Sequence, residues 1–327
     1  MARSVVDYEG ELPAIPDRVA WEEPTSHLVK DGRGGYQVAP GRRPSKALLV
    51  NRLREAVGSW RADGYPGASD VTGELFRYWF EEDHLLRDGS RWRYHFGQRE
   101  AIETLAYLVE VAQITDAKEL VDRFGEAFEG SRLIKHGIVH QTSVDGRRSI
   151  VRFFPELGSE GVQELPPEGL LRYAFKAATG SGKTVVMALA IAWSYFHRLR
   201  VPGSPLSRNF LIVAPNVIVY QRLERDFASN AIFEALPIIP PAWRGSFDLK
   251  PILRGESAEP SPNGTLFLTN IQQLYEGREA AWTPENAVAA LLGPPVAKDL
   301  ASHERSLLER VRSLPDLIAI NDEAHHV

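Results

Sequence analysis

The sequence predicts an α/β fold with a parallel sheet, preceded by a mainly helical N-terminal region. Three observations predict it. Short β-rich runs alternate with amphipathic helices from residue 165 to residue 327, the pattern of a sheet whose parallel strands are joined by helical crossovers. A glycine-rich stretch, "AATGSGKT" (177–184), falls between one such strand and the next helix. Upstream, apolar residues recur at helical rather than alternating spacing.

The elements follow in order. Residues 1–44 are rich in Pro, Gly and charge, with "GRGG" and "APGRRP" as breakers, and predict an irregular segment. From 45 to 164 a helical region is expected. In "SKALLVNRLREAVGSWRADG", Leu49, Leu53, Ala56, Val57 and Trp60 share a face, and "GYPG" stops the helix. A second helix, "TGELFRYWFEEDHLL", has Thr72 or Asp70 as its cap. A third, "GQREAIETLAYLVEVAQ", places Ile102, Leu105, Ala106 and Val109 together. Beyond it "HGIVHQTSVDGRRSIVRFFPEL" predicts a hairpin turning at "VDGR", and "LGSEGVQELPPEG" a loop, the pair forming an insertion. The third region, 165–327, contains strands "LLRYAFKAA", "NFLIVAP", "TLFLTN" and "LPDLIAIN", with helices "GKTVVMALAIAWSYFHRL", "NVIVYQRLERDF" and "IQQLYEG" between them.

Composition narrows the class. Lys and Arg number 38 against 43 Asp and Glu, a net charge of −5, so a polyanion contact has to come from local patches. The basic stretches "GRRPSK" and "RDGSRWRYHFGQR" are such patches, or else ordinary solvated faces. Cysteine is absent, which excludes disulfides, thiolate zinc sites and cysteine nucleophiles and suits a reducing cytoplasm. The first residues carry no secretory signal. The longest apolar run, 185–196, is far shorter than the roughly 20 residues of a membrane span. A cytoplasmic protein without membrane partners is expected.

The chemistry sits in two stretches. In "AATGSGKT", Gly180 and Gly182 let the backbone turn its N–H groups, together with the helix N-terminus, toward a phosphate. Thr179, Gly180, Ser181, Gly182, Lys183 and Thr184 are therefore candidate nucleotide contacts. Lys183 supplies a point charge to the β and γ oxygens, and the Thr184 hydroxyl is a candidate Mg²⁺ ligand. Ala177 stands where the strict pattern has Gly. The second stretch is "NDEAHHV" (321–327), after the apolar run "LIAI". Asp322 at a strand end suits a Mg²⁺ shell, and Glu323 suits orientation or deprotonation of an attacking water. The bland alternatives are a glycine turn and an acidic helix cap. A His325 and His326 metal pair lacks a third ligand at workable spacing.

"AATGSGKT" and "DEAH" resemble motifs I and II of the superfamily-2 DEAD/DEAH-box helicases and translocases. With "YHFGQREAIETLAYL", "LIVAPNVIVYQRLERDF" and "LFLTNIQQLYEG", the chain is similar to the branch containing the Res subunits of Type III restriction enzymes. The resemblance implies a RecA-like P-loop domain over 165–327, binding ATP with Mg²⁺ through Lys183, Thr184 and Asp322, with Glu323 as the catalytic base. It implies that His325 couples the nucleotide to the nucleic-acid side, and that Gln98 pairs with adenine while Phe96 stacks on it. By the same resemblance Pro215, Asn216 and Arg222, then Thr269 and Asn270, grip a DNA backbone; Asn216 equally suits a helix N-cap. The implied partners are DNA, as a duplex, and a methyltransferase or specificity subunit.

The family hydrolyses ATP between two RecA-like domains, so a motif II at the last residues predicts an incomplete first domain, the N-terminal part of a larger protein. ATP hydrolysis is then expected of the full-length protein, with the 327 residues alone inactive or very weak. No acidic-x-Lys partner follows Pro315 and Asp316, and no cleavage chemistry is assigned to them. Two alternatives share these motifs: a DNA-repair or RNA-remodelling helicase, and a nucleotide-binding or docking module without turnover.

Overall fold

A computed structural model describes residues 13–15, 18–32, 34–45, 48–124, 138–142, 148–153, 162–165, 172–178, 180–271 and 307–322. They fall into two compact units, one drawn from Met1–Ala68 and Arg93–Ser181, the other from Ser69–Trp92 and Gly182–Val327. The division therefore cuts the glycine-rich loop before its helix.

The first unit opens with strands β1 (Ser26–Lys30) and β2 (Tyr36–Pro40), an antiparallel hairpin where an irregular segment was expected. The glycines of "GRGG" and their neighbour make its turn: Gly32 and Gly34 have positive φ, and the Asp31 carboxylate accepts the Gly35 N–H at 2.9 Å. Helix α1 (Leu48–Ala62) buries Val57 and Trp60 as its periodicity predicts. It ends through Gly64 and Tyr65, both left-handed, whose N–H groups return to the carbonyls of Arg61 and Trp60.

A left-handed Tyr costs on the order of 1–3 kcal/mol, and its ring position shows what offsets it. The Tyr65 hydroxyl donates to Glu103 Oε1 at 2.6 Å and accepts from Arg99 at 2.7 Å, while Arg61 donates to the same carboxylate. Burial pushes the Tyr65 phenol up, reinforced by the Glu103 charge. Burial works against the Arg61 charge, but hydrogen bonding and attraction to Glu103 outweigh it, and its pKa is raised.

Glu103 lies in α3 (Phe96–Ala106), which runs into a π turn at Tyr107–Val111. One extra residue in that turn rotates the downstream face, so Leu108 is buried and the expected Val109 is only half-buried. Helix α4 (Ala117–Phe124) then closes a core of Leu108, Ala112, Ile114 and Phe124, flanked by Leu49, Leu53 and Tyr173. The expected hairpin is present as β5 (Ile138–Thr142) and β6 (Arg148–Phe153) in antiparallel register. A third strand, β7 (Val162–Leu165), pairs with β6 where a loop was expected.

The second unit begins with α2 (Asp70–Phe80), capped by Ser69 rather than by Asp70 or Thr72: its hydroxyl accepts the Thr72 N–H at 3.3 Å. Thr72 instead turns inward, and its hydroxyl accepts the indole N–H of Trp193 at 2.8 Å. That indole belongs to α5 (Lys183–Arg200), the helix following the glycine loop. A small hairpin, β3 (His84–Leu85) and β4 (Arg91–Trp92), follows α2.

Among the described residues the main sheet has four strands, all parallel, in the order β11 (Ile318–Asn321), β8 (Asn209–Ala214), β10 (Thr265–Asn270), β9 (Lys250–Ile252). Every residue of β8 and β10 is buried, as strands covered on both faces must be. On one side Leu211, Val213, Ile252 and Phe267 pack with Leu307 and Val311 of α8 (Leu307–Arg312). Helix α6 (Val217–Phe227) buries Tyr220, Leu223 and Phe227, each such side chain contributing about 1.5–3 kcal/mol. Helix α7 (Ala231–Ala235) buries Ile232 and Phe233. Gly264 serves a close approach: a Cβ there would meet the Arg208 carbonyl at 2.8 Å.

Two strand expectations need correction. Residues 172–178, the core of the expected "LLRYAFKAA" strand, form no strand; most of their side chains are exposed, and no described strand offers them a ladder. The fourth strand is β9, which sequence patterning passes over because it is three residues long and contains Pro251, a residue tolerated at a sheet edge. Of the helix expected from "IQQLYEG", only Ile271 lies within the described residues.

Candidate functional site

The parallel register decides which chain ends meet. Asn270 pairs with Ala214, and Asn321 with Val213, so three strands finish at the same level. The Asp322 N–H continues the ladder to the Val213 carbonyl at 3.2 Å. In α/β sheets this carboxyl end is where ligands bind.

The glycine loop runs into the second unit through Gly182. Gly180 and Gly182 have φ of +78° and +77°, the left-handed backbone that explains glycine at those positions. Ser181 donates both its N–H and its hydroxyl to the Ala178 carbonyl, at 3.2 and 2.7 Å. Lys183 opens α5, and the ladder starts with Val185 and Val186 bonding to the Gly182 carbonyl. Lys183 and Thr184 are half-buried in the first turn, where the helix presents its positive end. Thr179, Glu323 and His325 lie outside the described residues.

Asp322 is 2% exposed, and Arg222 of α6 donates to its Oδ2 at 2.6 Å. Two expected site residues are thus brought together, though in different roles from those expected. Arg222 was expected to face a DNA backbone; here it neutralises the expected metal carboxylate. The partners are 100 residues apart, and local sequence carries no signal for the pair. Only the adjacency of β8 and β11 would have exposed it.

Upstream, the Gln98 side chain bridges two segments of the first unit. Its Oε1 accepts the His95 N–H at 2.9 Å, and its Nε2 donates to the Ser181 carbonyl at 3.3 Å. Gln98 thus touches the glycine-rich loop directly, a contact that the sequence did not suggest. Phe96 is different: it is 6% exposed, and the guanidinium groups of Arg42 and Arg61 lie over its ring at 5.2 and 4.9 Å. Those cations pack over the ring, and Phe96 serves the core of the first unit.

The nucleic-acid expectations divide similarly. Pro215 and Asn216 sit in the loop beyond β8, but the Asn216 side chain accepts the Val219 N–H at 2.9 Å and caps α6. Thr269 and Asn270 are fully buried at the end of β10, and their side chains offer no surface to a backbone phosphate; that expectation is corrected. Three arginines of the basic stretches are ion-paired. Arg42 pairs with Glu100, Arg99 with Glu103, and Arg87 with Glu234.

The donor set suits Mg²⁺: a hydroxyl and a buried carboxylate are hard oxygen ligands, and this ion uses few protein ligands when phosphates complete its shell. Among the described residues no group of three or more His, Cys, Asp or Glu side chains forms a self-sufficient metal site. No helix among them is long and apolar enough to cross a membrane.

Residues 98–327 match the family model described as "Type III restriction enzyme, res subunit". No curated protein and no solved structure matches the chain.

Proposed function

Because the chain belongs to the Type III restriction enzyme res subunit family, whose helicase-type domains bind ATP and act on DNA, we propose that it is the Mg·ATP-binding module of a DNA translocase. The observation that carries this reading is the 18-residue helix α5, opened by Gly182 and Lys183 after a left-handed glycine turn.

In this reading the N–H groups of the turn and the Lys183 ammonium hold the β and γ phosphates. Thr184 and Asp322 hold Mg²⁺, which when bound neutralises charge on the transferring phosphoryl group. Glu323 orients the attacking water. Gln98, tied to the loop through Ser181, reads the adenine edge, and His325 relays nucleotide state. Pro215 and Asn216 lie toward the DNA backbone, and a methyltransferase or specificity subunit supplies sequence recognition.

Fluorescent ATP-analogue binding, followed by anisotropy with Mg²⁺, tests the core of it. Losing a charge-assisted hydrogen bond costs about 1.5–3 kcal/mol, so Lys183→Ala is expected to weaken binding by roughly 10- to 100-fold. Unchanged affinity would remove the phosphate loop from the proposal. The chain is expected to bind duplex DNA more tightly than RNA; a preference for RNA would move the protein to the RNA-remodelling class.

A further inference from the structure

A carboxylate as deeply buried as Asp322 needs a positive charge beside it, because leaving water carries a large desolvation cost. Arg222 supplies one at 2.6 Å. The two ends of this pair differ sharply in environment, since the carboxylate is 2% exposed and the guanidinium side chain 51%. Asp322 is fixed at a strand end, whereas Arg222 projects from a helix held by Tyr220, Leu223 and Phe227. Only the arginine can leave without disturbing the fold, and it can do so by side-chain rotation alone.

We propose that Arg222 is an exchangeable counter-ion: it positions and neutralises Asp322 until a divalent cation arrives with the nucleotide, then turns its guanidinium to a nucleic-acid phosphate. The proposal rests on the Mg·ATP reading above and adds a route from nucleotide to polynucleotide. The physical basis is competition between two positive charges for one buried carboxylate. A divalent cation arriving beside Asp322 would repel the guanidinium and take over its neutralising role.

Once displaced, the half-exposed guanidinium retains five donors in a planar fork, suited to two phosphate oxygens at once. Binding is then linked in both directions, since whatever engages Asp322 releases Arg222 and whatever engages Arg222 frees Asp322. One rival partner is close: Asp226, four residues along the same helix, whose pKa burial raises and the nearby Arg222 and Arg225 charges lower, with a net upward shift. Capture by Asp226 would end the exchange inside the protein.

The test uses the 327-residue chain and a short fluorescent DNA duplex, first in EDTA without nucleotide. Asp322→Asn removes the negative charge that holds Arg222 and is expected to tighten duplex binding by about fivefold, the lower end of ordinary coupling. Adding Arg222→Gln should abolish that gain. A gain that survives in the double variant is only the loss of one negative charge, and no gain at all means capture by Asp226 or a fixed pair; either result overturns the proposal.

Should Asp322→Asn fail to fold, Arg222→Gln gives the converse measurement. It should lose the rise in duplex affinity that Mg·ADP produces in the parent protein, while Arg222→Lys keeps part of it. An equal rise in parent and Arg222→Gln proteins overturns the exchange. Failure of the nucleotide reading would look different: Mg·ADP would not bind, with or without Lys183→Ala, while the EDTA measurement would still decide where Arg222 goes.

Discussion

Each unit of the molecule buries a carboxylate against arginine, and the two pairings are built to different ends. Glu103 is wholly buried and takes hydrogen bonds from Arg61, Arg99 and Tyr65, with the two arginines only 16% and 22% exposed. Asp322 is almost as buried, but the guanidinium it accepts from is half in water. A charge enclosed together with its partners is locked into the fold, because none of them can leave without stranding the others. A charge enclosed with a partner at the surface can change partners. Burial of the acid is shared; exposure of the base separates a structural network from a candidate switch.

The largest expected effect breaks the comparison directly. Truncating Glu103 leaves two guanidinium groups packed around a void, so Glu103→Ala is expected to cost about 3–5 kcal/mol in urea unfolding followed by tryptophan fluorescence. Asp322→Asn should cost less than about 1 kcal/mol, because Arg222 simply returns to water. Equal losses would mean that Arg222 is held in place no less firmly than Arg61, and the distinction would fall.

The same contrast explains what was legible in the sequence. The left-handed glycine turn, the alternation of strands with helices and the Asn216 cap each depend on residues within a few positions of one another, and spacing reveals them. The α/β class and the family follow from that local information. Glu103 joins Arg61 and Tyr65 across about forty residues, and Arg222 joins Asp322 across a hundred. Such pairs are set by strand order and helix packing, which periodicity does not encode. Thr269 and Asn270 show the reverse failure: a motif position suggested a surface, and the fully buried end of β10 gives none. The β1–β2 hairpin escapes a sequence reading because glycines that stop a helix also make a hairpin turn.

A neutral pair sharpens the rule that enclosed polar groups must stay matched. The indole N–H of Trp193 donates to Thr72 in a fully buried contact between α2 and α5. Thr72→Val keeps the shape and removes the acceptor, so a loss of about 1–3 kcal/mol is expected from the stranded indole N–H. Thr72→Ser should recover most of it. If Val and Ser behave alike in the same unfolding experiment, packing rather than hydrogen bonding holds this junction.

The smallest expected effect lies at Asn216, where a structural and a functional role meet in one side chain. As the cap of α6 its amide oxygen accepts the Val219 N–H, and Asn216→Ala should lower stability by about 1 kcal/mol. That loss alone says nothing about DNA, because a frayed α6 would also misplace Arg222. Asn216→Asp separates the roles: a carboxylate caps as well as an amide and favours the positive helix end, so stability should hold. Beside a phosphate backbone the same charge is repelled, and duplex affinity should fall by a fewfold, more at low salt than at high. Stability and affinity both unchanged in Asn216→Asp would leave Asn216 a cap alone, with DNA contact at this edge resting on Arg222.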